Sequence, residues 1–422
     1  MVTIAFVALA WLLPFRDIPV VLSEPTVRIF DVAAIPAIVV AGLVLAFNRR
    51  AVLSPGVALI VPLALAQLLF SASQGIWSKG EPYLIVRAVV WTMYCSALFV
   101  TASTFAQLLP RRRVIGHLLA SLIAANLIAS LIFWFAPGVM TIWAGGISME
   151  GEGVDVLRFP GFASEPNYWG SLLLVLFPVA WATIMSRTVR RNLGLGLPVA
   201  GLLLFAGLAT FSTFTQLAVG VAAVLVILFG LPGHRLGPVL TSVLVAIGAA
   251  LLVLTVQGYG DYVLDKLTTY TTGTNSERYH AGLAAVRMWL EAPLFGFGLG
   301  AYPTHYQDFA DVQMLPVESA HSVVLATLAE QGLVGLTVLA LLLVALLGIG
   351  EARVRLAWQQ DITVRLLFLG LILYIGFLGI TGNLYLYYFW FYAGLHHGLA
   401  IQSVKLAGSD PVPRVTRRMA PA

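Results

Sequence analysis

Apolar runs of roughly 18 or more residues, nearly free of charge, recur from one end of this chain to the other. Such runs leave few options. In hydrocarbon the backbone must satisfy its own hydrogen bonds, and segments of this length do so as helices. Composition agrees: the 422 residues are 59% hydrophobic and 10% charged, with a mean hydropathy of +0.92. Soluble domains carry about 25% charged residues, so an aqueous fold could not hide this much apolar surface. The expected fold is all-α, a polytopic membrane bundle of about 12 transmembrane helices.

The expected spans are 2–15, 31–47, 52–73, 84–109, 114–136, 168–186, 193–210, 215–231, 237–256, 322–349, 363–381 and 384–404. The first is short for a bilayer, and it lacks the basic flank of a signal peptide, so it reads as a retained helix. Charge tests the count. Even-numbered spans end at basic clusters such as Arg49-Arg50, Arg111 to Arg113 and Arg353 to Arg355. That side collects 16 of the 24 Lys and Arg, but among acids only Glu351, Asp361 and Asp410. A Lys/Arg bias in short loops sets orientation. Both termini are therefore expected to be cytoplasmic, with loops 137–167 and 257–321 facing outward.

This organises the chain into residues 1–256, with nine spans and the first outward loop; 257–321, the large outward loop; 322–404, with the last three spans; and 405–422, a tail whose composition reads as disordered. The net charge of +5 does not point to nucleic acid, because the basic residues sit in loops that meet anionic lipid headgroups. The lone Cys95 lies in an apolar run and offers neither a disulfide nor a metal cluster.

The chemistry should lie in the two outward loops. The first begins with a Gly-rich acidic stretch that reads as flexible, then RFPGFASEPNYWG. Pro166 pushes Glu165 out of helical geometry and suits the first turn of the next span. Arg158 and Glu165 then either pair in a solvated loop or place a cation and a carboxylate at the mouth of a cavity. In the large loop, Asn275-Ser276-Glu277 opens a helical pattern with Tyr279, Leu283, Val286 and Trp289 at helical spacing, closed by Pro293. Arg278 falls in its first turn, where free N–H groups and a guanidinium together suit phosphate oxygens. An exposed arginine bonding a neighbouring loop is the plainer alternative.

The run Phe295 to Gly300 alternates with glycine and permits close backbone approach. It is not a nucleotide fingerprint, since the strand and helix such a motif requires are missing. His321 opens the tenth helical segment at a membrane–water boundary. It serves either as a hydrogen-bonded structural group or as a base, since an imidazole accepts a proton near neutral pH. Lys79 and Arg87 lie at the short outward loop between the expected spans 52–73 and 84–109 and add positive field. Gln216, Asn383 and Glu330 lie near span ends, where functional and capping roles both fit. His396-His397 have no partner pattern for a metal.

Taken together, Ser-x-Arg before an amphipathic helix, PLFGFGLGAY, Ala-His and LAEQGLVGL resemble the O-antigen ligase and polymerase superfamily of bacterial envelope glycan enzymes. RFPGFASEPN is similar to that family's first conserved loop. The resemblance implies a GT-C-like helical fold in the inner membrane, with a large periplasmic loop containing short helices. It implies a metal-independent, inverting glycosyltransferase without a cofactor. The donor would be a glycan on undecaprenyl diphosphate, and the acceptor a lipid-linked repeat unit or the lipid A–core. The family's diphosphate-binding arginines fall on Arg158 and Arg278, and its histidine on His321, with Glu165 as a second choice of base. Lys79, Arg87 and Gln216 are lesser substrate-binding candidates. Two departures stand out. Many members have Ser-Arg where this chain has Thr215-Gln216, and His-Asn where it has His321-Ser322. Ser-Glu-Pro in the first loop favours polymerase over ligase. A lipid-linked glycan transporter is the competing class, against which stand spans nearly free of charge and polar residues gathered on one side.

Overall fold

The computed structural model describes residues 1–15, 17–21, 27–48, 82–142, 144, 148–151, 154–157, 159–163, 168–173, 175, 178–179, 274–311, 320–380 and 387–409. The expected spans 52–73, 193–210, 215–231 and 237–256 lie outside them, as do Lys79, Arg158, Glu165 and Gln216. Residues 168–173 are helical at the start of the expected span 168–186.

The described elements are overwhelmingly helical. Helix α1, Val2–Leu12, continues into a 3-10 turn, Leu13–Phe15, where Pro14 ends it. Helices α2, Ile29–Phe47, α3, Pro82–Leu108, and α4, Arg111–Phe135, follow. After the large loop come α7, Val323–Leu347, α8, Ala352–Gln360, α9, Ile362–Ile380, and α10, Tyr387–Ser409. The loop itself contributes α5, Thr274–Glu291, and α6, Tyr302–Phe309. Among the described residues four helices are long and apolar enough to cross a membrane: α2, α3, α4 and α7. A fifth is formed if α8 and α9, bent by 114° at Asp361, count as one broken span. This is a multi-pass membrane protein. Helix α1 is apolar but short, as expected.

Two short antiparallel hairpins interrupt the all-α expectation. Pro19–Val21 (β1) pairs with Val27–Arg28 (β2). Ser148–Gly151 (β3) pairs with Val154–Leu157 (β4) inside the stretch read as flexible. Gly151 opposite Val154 leaves two residues to connect the strands, the commonest hairpin connection. The tail also differs from expectation, because α10 carries residues 405–409 as helix.

Two cores hold the described parts together. The larger one joins α1 to α4, the distal part of α7, and α8 to α10 around Phe6, Phe30, Phe99, Phe105 and Trp390. Helices α3 and α10 approach almost backbone to backbone. A Cβ at Gly394 would lie 2.2 Å from the Phe99 carbonyl oxygen, and one at Gly398 2.4 Å from that of Ser103. Small residues four apart permit this contact, the main route to packing where lipid is as apolar as the protein. At the basic end, Arg111 pairs with Asp361, which also accepts from Ser403 Oγ at 2.5 Å and from the Thr363 and Val364 N–H groups. His397 is a structural residue there: its Nε2 lies 3.1 and 3.0 Å from the Ala345 and Leu346 carbonyls that end α7, and Nδ1 lies 3.3 Å from Glu351.

The smaller core belongs to the large loop. Ala281, Ala284, Ala285 and Met288 of α5, Tyr302 and Tyr306 of α6, and Ala320 and Ala329 beside and within α7 are all buried. This corrects the expected face of α5. Tyr279, the first residue of the expected apolar stripe, is 66% exposed, and the helix turns its alanines inward. Alanines let α5 sit close on α7, with Gly282 facing Leu325.

Candidate active site

Helix α7 was expected to run unbroken, but it is interrupted at Gly332, whose φ of +62° and ψ of −160° are not helical. In an intact helix the Leu333 and Val334 N–H groups would bond the Ala329 and Glu330 carbonyls. Here all four groups bond the glycine-rich loop instead. Leu333 N donates to Pro293 O at 2.9 Å and Val334 N to Leu294 O at 3.1 Å. Phe297 N donates to Ala329 O at 2.9 Å and Gly298 N to Glu330 O at 2.8 Å. Two helical bonds are thereby exchanged for four between loop and helix. Only glycine fits at the crossing. A Cβ at Gly296 would come 2.4 Å from the Glu330 carbonyl carbon, and one at Gly332 2.4 Å from that of Leu294.

The interlock fixes the loop on α7. Glu330, expected near a span end, receives the Tyr302 N–H on its Oε1 at 3.2 Å and so caps α6. Tyr302 in turn donates its hydroxyl to Ala281 O on α5 at 2.9 Å. Arg287 closes the other end, with both guanidinium nitrogens 2.6 Å from Asp311 and one 2.9 Å from Phe309 O. His305 sits on α6, 3.4 Å from Asp308, away from this chain of contacts.

This frame brings two of the expected site residues together. Arg278 is the fifth residue of α5, which starts at Thr274, so it lies just beyond the first turn where it was expected. His321 precedes Ser322, the N-cap of α7, whose side chain accepts from Leu325 N at 3.3 Å. Serine and asparagine are both strong N-caps, so the departure from His-Asn keeps this cap. Both Arg278 and His321 are half-buried. Burial, and then the positive charge of Arg278, push the His321 imidazole below its ordinary value of 6.5. The ring is therefore neutral, and able to accept a proton, at neutral pH. His321 also has a φ of +51°, the one positive φ at a non-glycine among the described residues. A side chain in that region costs on the order of 1–2 kcal/mol, and strain of this kind clusters at functional sites.

Of the first outward loop, the described residues show how its conserved-looking segment is anchored. Phe162 packs on Phe15 with ring centroids 4.6 Å apart, and Gly161, at φ +56°, lies against the Trp169 ring. Trp169 Nε1 donates to Asn126 Oδ1 at 3.2 Å, and Tyr388 donates its hydroxyl to Tyr168 O at 3.0 Å. Arg158 and Glu165 flank this anchored segment but lie outside the described residues. Arg87 falls within α3. Sequence reasoning missed Gly332 as a partner of the glycine run; for Glu330 the structure shows the capping role, one of the two roles left open.

A family model described as O-antigen ligase matches residues 198–340. That stretch, about a third of the chain, holds Gln216, Arg278, the interlock and His321, and the match supports the resemblance to the O-antigen ligase and polymerase superfamily. The match points to a membrane enzyme of the O-antigen ligase type, a glycosyltransferase class whose partners are a lipid-linked glycan and an acceptor. No curated protein matches the chain.

Proposed function

We propose that this chain is an inverting, metal-independent glycosyltransferase that takes its glycan from undecaprenyl diphosphate on the periplasmic side of the inner membrane. The observation that carries this reading is the pairing of Arg278 with a strained, neutral His321 beside a rigid loop-to-helix joint. As the anomeric carbon–oxygen bond breaks, negative charge gathers on the departing diphosphate. Arg278, joined by Arg158, stabilises that charge, and such fixed electrostatic contacts are commonly the largest catalytic contribution. The acceptor hydroxyl attacks the opposite face of the sugar, and His321 takes its proton, with Glu165 the second choice. Lys79, Arg87 and Gln216 add weaker contacts to the donor. No nucleotide is consumed, because the diphosphate linkage supplies the driving force. In this account the chain has 12 spans with both termini cytoplasmic, and loops 137–167 and 257–321 on the outer side.

Polymerisation is the favoured reaction, on the strength of Ser164-Glu165-Pro166 in the first loop. Gel electrophoresis of surface polysaccharide from a deletion strain tests it. Lipopolysaccharide bearing a single repeat unit supports polymerase. Rough lipopolysaccharide with accumulated lipid-linked polymer shows a ligase instead. Unchanged polysaccharide contradicts both.

A further inference from the structure

The interlock also bears on where the membrane surface lies. Helix α7 ends at Gly348, in the left-handed conformation, just before the basic segment Glu351 to Arg355. A helix needs about 20 residues to cross the hydrocarbon, and counted back from Gly348 these reach Leu328. The segment beyond the break, 333–347, is too short to cross alone. Leu333, bonded to Pro293, therefore lies on the order of 7 Å inside the boundary at 1.5 Å per residue. The glycine loop bonded to it lies at the same depth.

Apart from Glu291, the last residue of α5, the exposed side chains at that level are apolar. Leu290 is 64% exposed, Leu294 57%, Phe295 59% and Leu333 42%. In water four such neighbours would be a costly patch. The backbone satisfies the opposite requirement, since non-helical chain within a bilayer is tolerated only where its polar groups are bonded. Gly296 N donates to Ala292 O at 2.9 Å, and the four cross-bonds satisfy a further eight backbone groups of loop and helix.

We propose that residues 290–298 form a re-entrant segment, and that Leu290, Leu294 and Phe295, with Leu333, face the acyl chains of the bilayer. The large loop is then not wholly in water; its α5 end is seated in the membrane. This holds whatever glycan the enzyme transfers.

The test places single cysteines in a Cys95→Ala background, reconstituted in phosphatidylglycerol–phosphatidylethanolamine nanodiscs and spin-labelled. Collision rates with oxygen, which concentrates in hydrocarbon, and with a water-soluble nickel chelate are compared. Leu341→Cys, at an exposed position on α7, serves as the bilayer standard, and Asp308→Cys, at an exposed position on α6, as the water standard. Leu294→Cys and Phe295→Cys are expected to match Leu341→Cys, with high oxygen and lost nickel access. Leu290→Cys and Leu333→Cys report on the same patch should either loop variant fail to fold. Nickel access like that of Asp308→Cys would overturn the proposal. Low access to both reagents would mean protein covers the patch, and would also overturn it. Oxygen access that falls only when undecaprenyl phosphate is added would make a polyprenyl chain the occupant instead, and the bilayer assignment would again be wrong.

Discussion

The helical bundle and the loop unit are held together by different means. The bundle core is built from large aromatic side chains and from glycines that bring α3 and α10 into near contact. Its charged groups are consumed in structure: Arg111 by Asp361, and His397 by the end of α7 and Glu351. The loop unit has a small core of alanines and two tyrosines. It is joined to α7 by exchanged backbone bonds rather than by side-chain bulk. The joint is made of backbone groups, and Arg278 and His321 lie on the elements it connects. The rigid frame and the reactive groups thus sit on the same elements without competing for atoms.

The sharpest way to break this contrast is at the crossing. Gly332→Ala should abolish glycan transfer, because φ +62° with ψ −160° is a region essentially reserved for glycine, costing about 1–3 kcal/mol, and the added Cβ would meet the Leu294 backbone. Gly394→Ala in the bundle should instead lower thermal stability in detergent, with activity falling only as folded protein is lost. Loss of transfer in well-folded Gly394→Ala, or full transfer in Gly332→Ala, would dissolve the distinction.

Next in size are the reactive groups. Arg278→Ala should slow transfer by roughly 10²–10³, the effect of losing one charge-stabilising donor, while leaving insertion intact. Arg278→Lys should be impaired as well, because an ammonium cannot make the bidentate contact. Initial rates with a lipid-linked donor measure both. His321→Asn should lose activity yet match or exceed the wild type in thermal stability, since asparagine tolerates the left-handed conformation. A drop in stability instead would make His321 structural.

A smaller effect is expected on the pH profile. The His321 base is lost when the ring protonates. Its value lies below 6.5, so the acid limb of kcat/KM should fall below pH 6.5. Arg278→Gln should move the limb upward, but only part of the way, because burial is the larger cause. A limb that ignores Arg278 would separate the two residues. Smallest of all, Ser322→Ala should cost about 1 kcal/mol of stability as a lost N-cap, and Ser322→Asn close to nothing; thermal denaturation in detergent reads the difference.

Much of the bundle was legible because uncharged runs of this length have one stable form in lipid. Residues 31–47, 84–109, 114–136 and 363–381 became helices close to their expected ends. The break in α7 was not legible, since Gly332 sits inside a run expected to be one helix, with apolar Leu333-Val334-Gly335-Leu336 directly beyond it. The signal lay in two glycines far apart, Gly296 and Gly332, each useful only because of the other. The buried face of α5 was misread for a related reason: periodicity favours Tyr279 and Leu283, whereas close helix contact favours Ala281, Ala284 and Ala285. Hairpin β3–β4 hid in glycine-rich composition. Arg278 and His321 were legible individually from residue type and capping position. Their proximity was not, because it depends on the interlock.

The most direct test uses purified protein with an undecaprenyl-diphosphate-linked glycan and a lipid-linked acceptor, with no nucleotide added. Wild type should transfer glycan, while Arg278→Ala and His321→Ala, folded and inserted, should not. Full activity in both variants would contradict the assignment of this site.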